Sequence, residues 1–364
     1  MTILAELVEI CGPGSARAAR PDDRPASWVA APSTPRSVAA LLNLAAAHGL
    51  RFRVRGSGSK FHWGTSEKAP DLLIDTARLN GLWDHDGSTA VVAAGTPVGA
   101  AQAALELHGK RLPLDPPSPG ATIGGVLAVN EAGPLRHRFG PPAGQVHRVD
   151  LVDPSSHLLS LDEGWEGAGG VITAALLPVE ELPEARRWVV RPVRTPTEAG
   201  EVVNDVVAQE FTLSGVEMDL PGEGEGTLAL LLEGPAAWVT VSAGRLAGRL
   251  GSRAVIRETA PQWWGRYPFG GSDVVLRLRV RSRDLHGMSY VLRDAVGAGV
   301  AIRGSAGAGV VHAVLPGGLT AARVGDIVVG LKQVLMARRG QVVVLTAPPE
   351  LVSAIDLARP TDLF

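Results

Sequence analysis

Two glycine-rich segments in the first half of the chain restrict the folds that it can adopt. The first, residues 56–60, reads Gly-Ser-Gly-Ser-Lys and directly follows a run in which Phe52 and Val54 alternate with arginines. That alternation predicts a strand, so the glycines form the turn that leaves it. Consecutive small residues expose successive backbone N–H groups, which bind anions on many folds. A phosphate cradle to which Arg55 and Lys60 add charge and a plain hairpin turn are both open on composition alone.

The second segment covers residues 121–130 and reads Ala-Thr-Ile-Gly-Gly-Val-Leu-Ala-Val-Asn. It is small and apolar, and we find neither a helical nor a strand period in it. Such a backbone can lie closely against a flat ligand, with the Thr122 hydroxyl and main-chain amides as donors. The alternative is a buried loop between domains. Two segments of this kind in one domain indicate an extended cofactor that contains phosphate.

The common phosphate-binding and nucleophile motifs are absent. Residues 56–60 do not match a Walker A loop, in which a glycine directly precedes the lysine, because Gly58 stands two residues before Lys60. The dinucleotide fingerprint needs a third glycine where Phe61 stands, and a helix directly after it. There is also no Gly-x-Ser-x-Gly elbow, so hydrolase chemistry has no support.

The length of 364 residues predicts two domains, which we divide at a composition shift into residues 1–180 and 181–364. Thr34, Pro35 and Gly49 delimit the first helix. We expect an α+β fold in which the second domain is an antiparallel sheet covered by helices on one face. In the first domain we predict helices over 34–49 and 96–108, strands over 51–55, 71–76, 89–94, 146–153, 157–161 and 171–177, and a loop over 112–144. In the second we predict strands over 188–193, 213–218, 228–233, 253–258, 274–280, 300–303, 310–315 and 342–346, and helices over 196–209, 236–250, 285–296, 320–338 and 349–357.

At this point the sequence resembles a known family. The matching parts, in order, are residues 32–42, 54–60 with 63–64, 116–117 ahead of 121–125, 133–136 with 138–140, 169–173, 213–217 and 232–234. They resemble the FAD-binding domain of the p-cresol methylhydroxylase/vanillyl-alcohol oxidase superfamily, and within it look most like the FAD-binding subunit of glycolate oxidase. The likeness covers most of the chain and is strongest over residues 28–177.

The resemblance implies a two-part FAD-binding domain of the p-cresol methylhydroxylase (PCMH) type, followed by an α+β cap domain over the flavin. It implies an FAD-dependent oxidoreductase with non-covalent FAD that oxidises a small 2-hydroxy acid or alcohol by hydride transfer to flavin N5. A separate electron-accepting protein subunit is implied as a partner, since the single cysteine, Cys11, cannot hold an iron–sulfur cluster. The residues implied to bind the cofactor are Arg55, Gly56, Ser57, Gly58, Ser59, Lys60, Pro117, Thr122, Ile123, Gly124, Gly125, Ala128, Asn130, Gly133, Val171 and Ile172.

Two departures from the family's pattern support an alternative. The stretch between Leu161 and Gly167 is shorter than in the family, and the chain reaches Phe364 without the basic tail that the family often carries. Residues that normally pack around the flavin are therefore missing. The alternative is a cofactor-free relative, which acts as a scaffold or regulatory subunit or binds another ligand in the emptied cleft.

Candidate residues for acid–base and substrate contacts come from both domains. His137, Tyr267 and Arg277 are the candidates for catalysis, and a structural role is the alternative for each. The histidines His62 and His147 and the arginine Arg279, which alternates with Arg277 along one predicted strand, are weighed in the same way. Trp263 and Trp264 form either a wall of the substrate pocket or an anchor in the core.

Overall charge and composition exclude other classes. Thirty-five basic and thirty-seven acidic residues give a formal charge of −2, which offers no electrostatic basis for binding nucleic acid. No apolar run has the length of a membrane span, and the N-terminus lacks the pattern of a signal peptide. We therefore expect a cytoplasmic protein. No His, Cys, Asp and Glu residues have the spacing of metal ligands, so no metal site is expected.

Overall fold

The computed structural model describes residues 2–23, 26–64, 69–209, 211–270 and 272–364. Its helices are α1 (Ile3–Cys11), α2 (Pro35–Ala47), α3 (Val98–Glu106), α4 (Ile123–Ala128), α5 (Arg136–Phe139), α6 (Pro196–Val207), α7 (Ala236–Leu250), α8 (Leu285–Val296), α9 (Ala321–Met336) and α10 (Pro349–Val352). Within this described part, no helix combines the length and the apolar character needed to cross a membrane.

The strands are shorter and more numerous than the helices. They are β1 (Ala16–Ala18), β2 (Trp28–Ala30), β3 (Phe52–Arg55), β4 (Leu72–Asp75), β5 (Leu82–His85), β6 (Thr89–Ala93), β7 (Lys110–Arg111), β8 (Arg148–Val152), β9 (Leu158–Leu161), β10 (Val171–Pro178), β11 (Glu180–Glu181), β12 (Ala185–Val193), β13 (Gly215–Leu220), β14 (Gly226–Gly234), β15 (Val255–Arg257), β16 (Val275–Arg279), β17 (Ala301–Ser305), β18 (Val310–Val314) and β19 (Gln341–Thr346).

The first half of the chain is built on two sheets. One has the strand order β1-β2-β4-β3, in which β4 runs parallel to both β2 and β3. The other is antiparallel, with the order β5-β6-β10-β8-β9. Helices α1 and α2 pack on the first sheet, and α3 and α4 pack on the second, so each sheet has a hydrophobic core of its own.

The second half is an antiparallel sheet with the strand order β15-β12-β14-β13-β17-β18-β16-β19. Its core lies between one face of this sheet and helices α6 to α9. The other face turns toward the first half, where Trp188, Val190 and Leu231 pack against Leu135. The predicted α+β architecture, with helices on one face of an antiparallel sheet, is confirmed. The division at residues 180 and 181 falls inside β11, which pairs with β7, and it stays a prediction.

The local signals of the long helices are also confirmed. Thr34 accepts a hydrogen bond from the Ser37 amide at the start of α2, and Pro35 is its first residue. Helices α7 and α8 have the predicted bounds, and each buries an apolar face in the core of the eight-stranded sheet.

Two predictions are wrong. Residues 112–144 are not a bare loop, because α4 and α5 lie in them; Ile123, Val126 and Leu127 of α4 bury one face at helical spacing, which offsets the low helix propensity of its glycines. The helix predicted over 349–357 ends at Val352, and Leu357 instead forms a parallel bridge to Val344. Helix α1 and strands β1, β2, β5, β7 and β11 were not predicted.

Candidate functional site

The first glycine-rich loop, residues 56–60, leaves β3 at its carboxyl end. Its turn is closed by the Phe61 amide, which donates to the Gly58 carbonyl at 3.0 Å, and Gly58 has a φ of +80°. In the described residues, the amides of Ser57 through Lys60 have no hydrogen-bond partner. Because a run of open amides attracts an anion, this first loop is suited to hold phosphate.

A mostly apolar cleft adjoins the first loop, and we call it the first-loop cleft. It offers about 470 Å³ of space, which is within the range of small-molecule sites. Gly56, Ser57 and Thr122 line the end near the loop, while Leu82, Ala100 and Ala104 are among the apolar residues that line the rest. Phosphate donors beside an apolar cleft suit a ligand that joins a diphosphate to an aromatic ring.

The charges expected at the first loop are neutralised by the protein. The two terminal nitrogens of Arg55 lie 2.8 Å from Asp23 Oδ1 and 2.8 Å from Asp75 Oδ2. The hydrogen bond from the Arg17 guanidinium, and after it those from the Arg20 amide and from Arg55, hold the pKa of Asp23 well below its usual range. Lys60 points inward and is paired elsewhere, as described below. The positive charge that the sequence analysis assigned to the loop is therefore not available to a ligand.

The second glycine-rich segment, residues 121–130, differs from the first in its amides. Thr122 caps α4, accepting from the Gly125 amide at 3.3 Å. The Ile123 amide donates to the Thr96 carbonyl and the Gly124 amide donates to the Ala94 carbonyl. The amides of Ile123, Gly124 and Gly125 are therefore used inside the protein, whereas among the described residues the Thr122 hydroxyl acts only as an acceptor, and Thr122 lines the first-loop cleft. The role of Thr122 as a ligand donor stays a prediction.

The two segments touch each other at one point. A Cβ atom on Gly56 would lie 2.2 Å from Thr122 Oγ1, closer than any real contact. Gly56 is therefore needed for the approach of the first loop to the second segment.

A second, smaller space lies between the two halves of the chain, and we call it the central cleft. It offers about 40 Å³, enough for about three water molecules. Of the sequence-predicted residues, it brings together Pro117, Asn130, Gly133, Tyr267 and Arg277. A flavin ring would require this cleft to widen.

Glu131, which the sequence analysis missed, joins both halves of the chain beside the central cleft. Its carboxylate lies 2.7 Å from Lys60 Nζ, and the Glu131 side chain is fully buried. The other carboxylate oxygen accepts from the Ser118 amide and from the Tyr267 hydroxyl, each at 3.0 Å. Burial raises the pKa of Tyr267 well above its usual value. The Lys60–Glu131 pair spans from the first loop to the end of the second segment.

Two arginines and a histidine face the central cleft from different elements. Arg136 is the first residue of α5, and Arg277 lies on β16. His312 lies on β18, directly opposite Arg277. Burial and the Arg277 and Arg136 charges lower the pKa of His312 to about 3, so its imidazole is neutral. Strand pairing is the signal that would have found His312, because it sets this residue opposite Arg277.

Two buried carboxyl groups complete the surroundings of the cleft. Glu217 lines it, and burial raises the pKa of Glu217 to about 8. Asp115 accepts from the Leu135 amide at 2.9 Å, and burial raises its pKa to about 7. Neither was singled out from the sequence, which does not show that a carboxyl group is buried.

The remaining candidates lie away from the clefts. His137 contacts Gly307, and burial lowers its pKa. His62 and His147 are both exposed, and desolvation together with the Arg53 charge lowers the pKa of His62. Arg279 donates to the main-chain oxygen of Phe364.

The predicted flavin contacts beyond the loops are structural or exposed here. Val171 lies in the core between α1, α2 and the first sheet. Ile172 packs against the core between α3, α4 and the antiparallel sheet of the first half, and Ala128 is exposed. Unlike Tyr267, Trp263 and Trp264 do not line the central cleft. They pack with Trp188 and Leu135 on the face of the eight-stranded sheet that turns toward the first half, which favours the anchor interpretation. Over the residues that the structure describes, no group of three or more His, Cys, Asp and Glu side chains could hold a metal ion.

Comparison with known sequences gives a family match and distant relatives. The FAD binding domain family matches residues 26–162. The chain is 26% identical to the D-lactate dehydrogenase of Archaeoglobus fulgidus over 186 residues, covering 46% of this chain and 42% of that protein. It is 24% identical to the glycolate oxidase subunit GlcD of Bacillus subtilis over 213 residues, covering 53% and 45%. The chain thus spans less than half the length of these relatives.

Comparison with solved structures shows the fold over nearly the whole chain. Two crystal structures of alkyldihydroxyacetonephosphate synthase match with TM-scores of 0.66 and 0.65 at 15% sequence identity. They cover 93% and 99% of this chain, and 81% and 83% of theirs. The family match indicates flavin binding for residues 26–162, and the similarity to the solved structures shows the fold alone.

Proposed function

We propose that this protein is an FAD-dependent oxidoreductase that acts on a small 2-hydroxy acid or a similar alcohol. The observation that carries the proposal is the run of open amides at Ser57 through Lys60 beside the first-loop cleft, inside the region of the family match. The names of two relatives, a D-lactate dehydrogenase and a glycolate oxidase subunit, support the substrate class.

The chain's own groups would hold the two ends of the cofactor differently. The first-loop amides would bind its diphosphate, and the first-loop cleft would take its adenosine, without a covalent bond. The flavin, when bound, supplies an acceptor for the hydride of the substrate C–H bond. The ionised form of Glu217, whose pKa burial raises to about 8, would take the hydroxyl proton, since His312, with a pKa of about 3, is too weak a base. A separate protein would accept the electrons, since one cysteine cannot bind an iron–sulfur cluster.

A second candidate is favoured by the size of the central cleft. Only about 40 Å³ is open there, and the Lys60–Glu131 pair spans the gap between the two glycine-rich segments. A relative that keeps the fold without the flavin, as a scaffold or regulatory subunit, would have this arrangement.

One experiment decides between the two. The protein is purified from a host with a normal flavin supply, and its visible spectrum is recorded before and after acid precipitation. The proposed function predicts a yellow protein that releases about one FAD per chain into the acid supernatant. Colour that stays with the precipitate would contradict non-covalent binding. Colourless protein that also fails to take up added FAD would establish the second candidate.

A further inference from the structure

Three polar atoms that line the central cleft lack the partners that buried polar groups usually have. They are Arg136 Nε, Glu217 Oε1 and Ser305 Oγ. Arg136 Nε has no hydrogen-bond partner among the described residues, and the side chains of Glu217 and Ser305, opposite each other on β13 and β17, have only each other. Their residues are 8%, 5% and 5% exposed. A buried polar atom without a partner costs free energy, so several around one space indicate a missing ligand or water.

The cationic groups of the cleft are likewise uncompensated. Arg136 donates only to the Asn130 carbonyl, at 3.4 Å, and Arg277 donates to the Leu363 carbonyl, at 2.9 Å. Neither has an ion-pair partner in the part of the chain that the structure describes. By contrast Arg303, which lines the same cleft, is held by both oxygens of Asp219 at 2.9 and 3.1 Å.

The neighbouring acids do not replace that partner. Burial raises the pKa of Glu217 to about 8 and of Asp115 to about 7, so at neutral pH Glu217 is mostly protonated and Asp115 is about half so. Burial and the Arg136 charge lower the pKa of Arg277 to about 9, which still leaves it charged near neutrality. Glu131 also lines the cleft, but its carboxylate is already paired with Lys60. Two charged guanidinium groups therefore face the space without a carboxylate of their own among the described residues.

We infer that the central cleft is a subsite for the anionic end of a compact hydroxy acid. Its carboxylate binds Arg136 and Arg277, replacing the Leu363 carbonyl at Arg277, and its hydroxyl meets Glu217 and Ser305. The small volume restricts the ligand to acids of two or three carbons. This inference rests on the proposed function for the choice of a hydroxy acid, and it assigns the residues that would select that substrate.

Binding of small probes to the full-length protein tests the subsite without turnover. Isothermal titration calorimetry with glycolate, acetate, methyl glycolate and the bulkier mandelate is run on protein with and without FAD. Glycolate is expected to bind, acetate to bind more weakly because it lacks the hydroxyl, and the uncharged ester and mandelate not to bind. Absence of saturable glycolate binding in both forms, or equal binding of the ester, would overturn the inference.

The chain offers a matched pair of variants. Arg277→Gln removes a cleft arginine, whereas Arg279→Gln removes an exposed arginine from the same strand that also donates to a main-chain oxygen of residues 363–364. We expect at least tenfold weaker glycolate binding for the first and no change for the second, since a hydrogen bond to a charged group is worth about a tenfold or larger factor. Equal binding by the two variants would contradict the subsite. Arg277→Lys, which keeps the charge, is expected to retain part of the affinity and covers the case in which Arg277→Gln does not fold.

FAD content, measured separately, keeps the two proposals apart. A yellow protein that binds no glycolate would refute the subsite alone. A colourless protein that binds glycolate through Arg277 would refute the proposed redox function and leave the subsite standing.

Discussion

The two glycine-rich segments have similar compositions and opposite hydrogen-bonding states. Residues 56–60 follow a strand and leave the amides of Ser57 through Lys60 open, whereas the amides of Ile123, Gly124 and Gly125 are bonded inside the protein. The difference arises because the carbonyls of Ala94 and Thr96 accept from the second segment and the Thr122 side chain caps its helix, whereas no such acceptors face the first loop among the described residues. A glycine-rich run therefore indicates ligand binding only when its amides are left without partners.

The largest effect is expected where the two segments are tied together. Lys60→Met leaves the buried Glu131 carboxylate without its cation, which typically costs about 3–5 kcal/mol in the free energy of unfolding. Denaturant titration followed by circular dichroism measures the loss. The double variant with Glu131→Gln is expected to recover much of it, because a neutral amide no longer needs a cation.

An exposed pair provides the control for that variant. Lys110 is paired with Glu181, whose side chain is 76% exposed, so Lys110→Met is expected to cost less than about 1 kcal/mol. If Lys60→Met lowered the free energy of unfolding no more than Lys110→Met, the Lys60–Glu131 ion pair would not stabilise the contact between the two segments.

The contact of the segments is tested by a smaller change. Gly56→Ala forces a methyl group against Thr122 Oγ1, and overpacking of this kind costs about 3 kcal/mol. It is also expected to weaken the binding of ADP, used as a probe of the first loop, because the loop must move. In the Thr122→Ala background the same substitution is expected to cost clearly less, which a double-mutant cycle measures.

Gly144→Ala is the matched control, since no heavy atom lies within 4 Å of its added Cβ. Additive effects of the Gly56 and Thr122 substitutions would mean that the two segments do not constrain each other.

The second segment is expected to respond in stability rather than in binding. A Cβ on Gly124 would lie 2.8 Å from that of Ala94, so Gly124→Ala is expected to destabilise the fold by about 1–2 kcal/mol. Its ADP affinity is expected to stay near that of the wild type, because the Gly124 amide already donates to a carbonyl. A variant that kept its stability and lost ADP would reverse the assignment of roles to the two segments.

The smallest effect concerns the helix cap alone. Thr122→Ala removes the acceptor for the Gly125 amide and is expected to lower the free energy of unfolding by about 1 kcal/mol. Thr122→Ser keeps the hydroxyl and serves as the control. Equal melting temperatures for the two variants would show that the hydroxyl does not stabilise α4.

Local signals in the sequence predicted most of the fold. The Thr34 cap and Pro35 delimit α2, and the apolar periods predicted α7 and α8 to the residue. Helix α4 was missed for a physical reason. Its six residues, two of them glycines, are too few for an apolar period to be recognised, and burial rather than helix propensity stabilises it.

The candidate site depended on contacts that no local pattern contains. Lys60 and Glu131 are 71 positions apart, so their ion pair is visible only once the two segments are folded together. Arg277 was found from strand alternation, but its neighbour His312 required the strand register. Whether a backbone amide has a hydrogen-bond partner depends on the folded backbone. The two glycine-rich segments therefore look similar in the sequence although their amides differ in hydrogen bonding.

The path of residues 357–364 has a consequence for the order of events during synthesis. The Leu363 carbonyl accepts from Asn130, which lies 233 positions earlier, and the Phe364 ring meets Trp165 edge to face with centroids 5.7 Å apart. The first half of the chain, which is synthesised first, thus lacks one of its packing partners until residues 357–364 have been synthesised. We expect this half to stay partly ordered, with apolar surface exposed to chaperones, until these residues have left the ribosome.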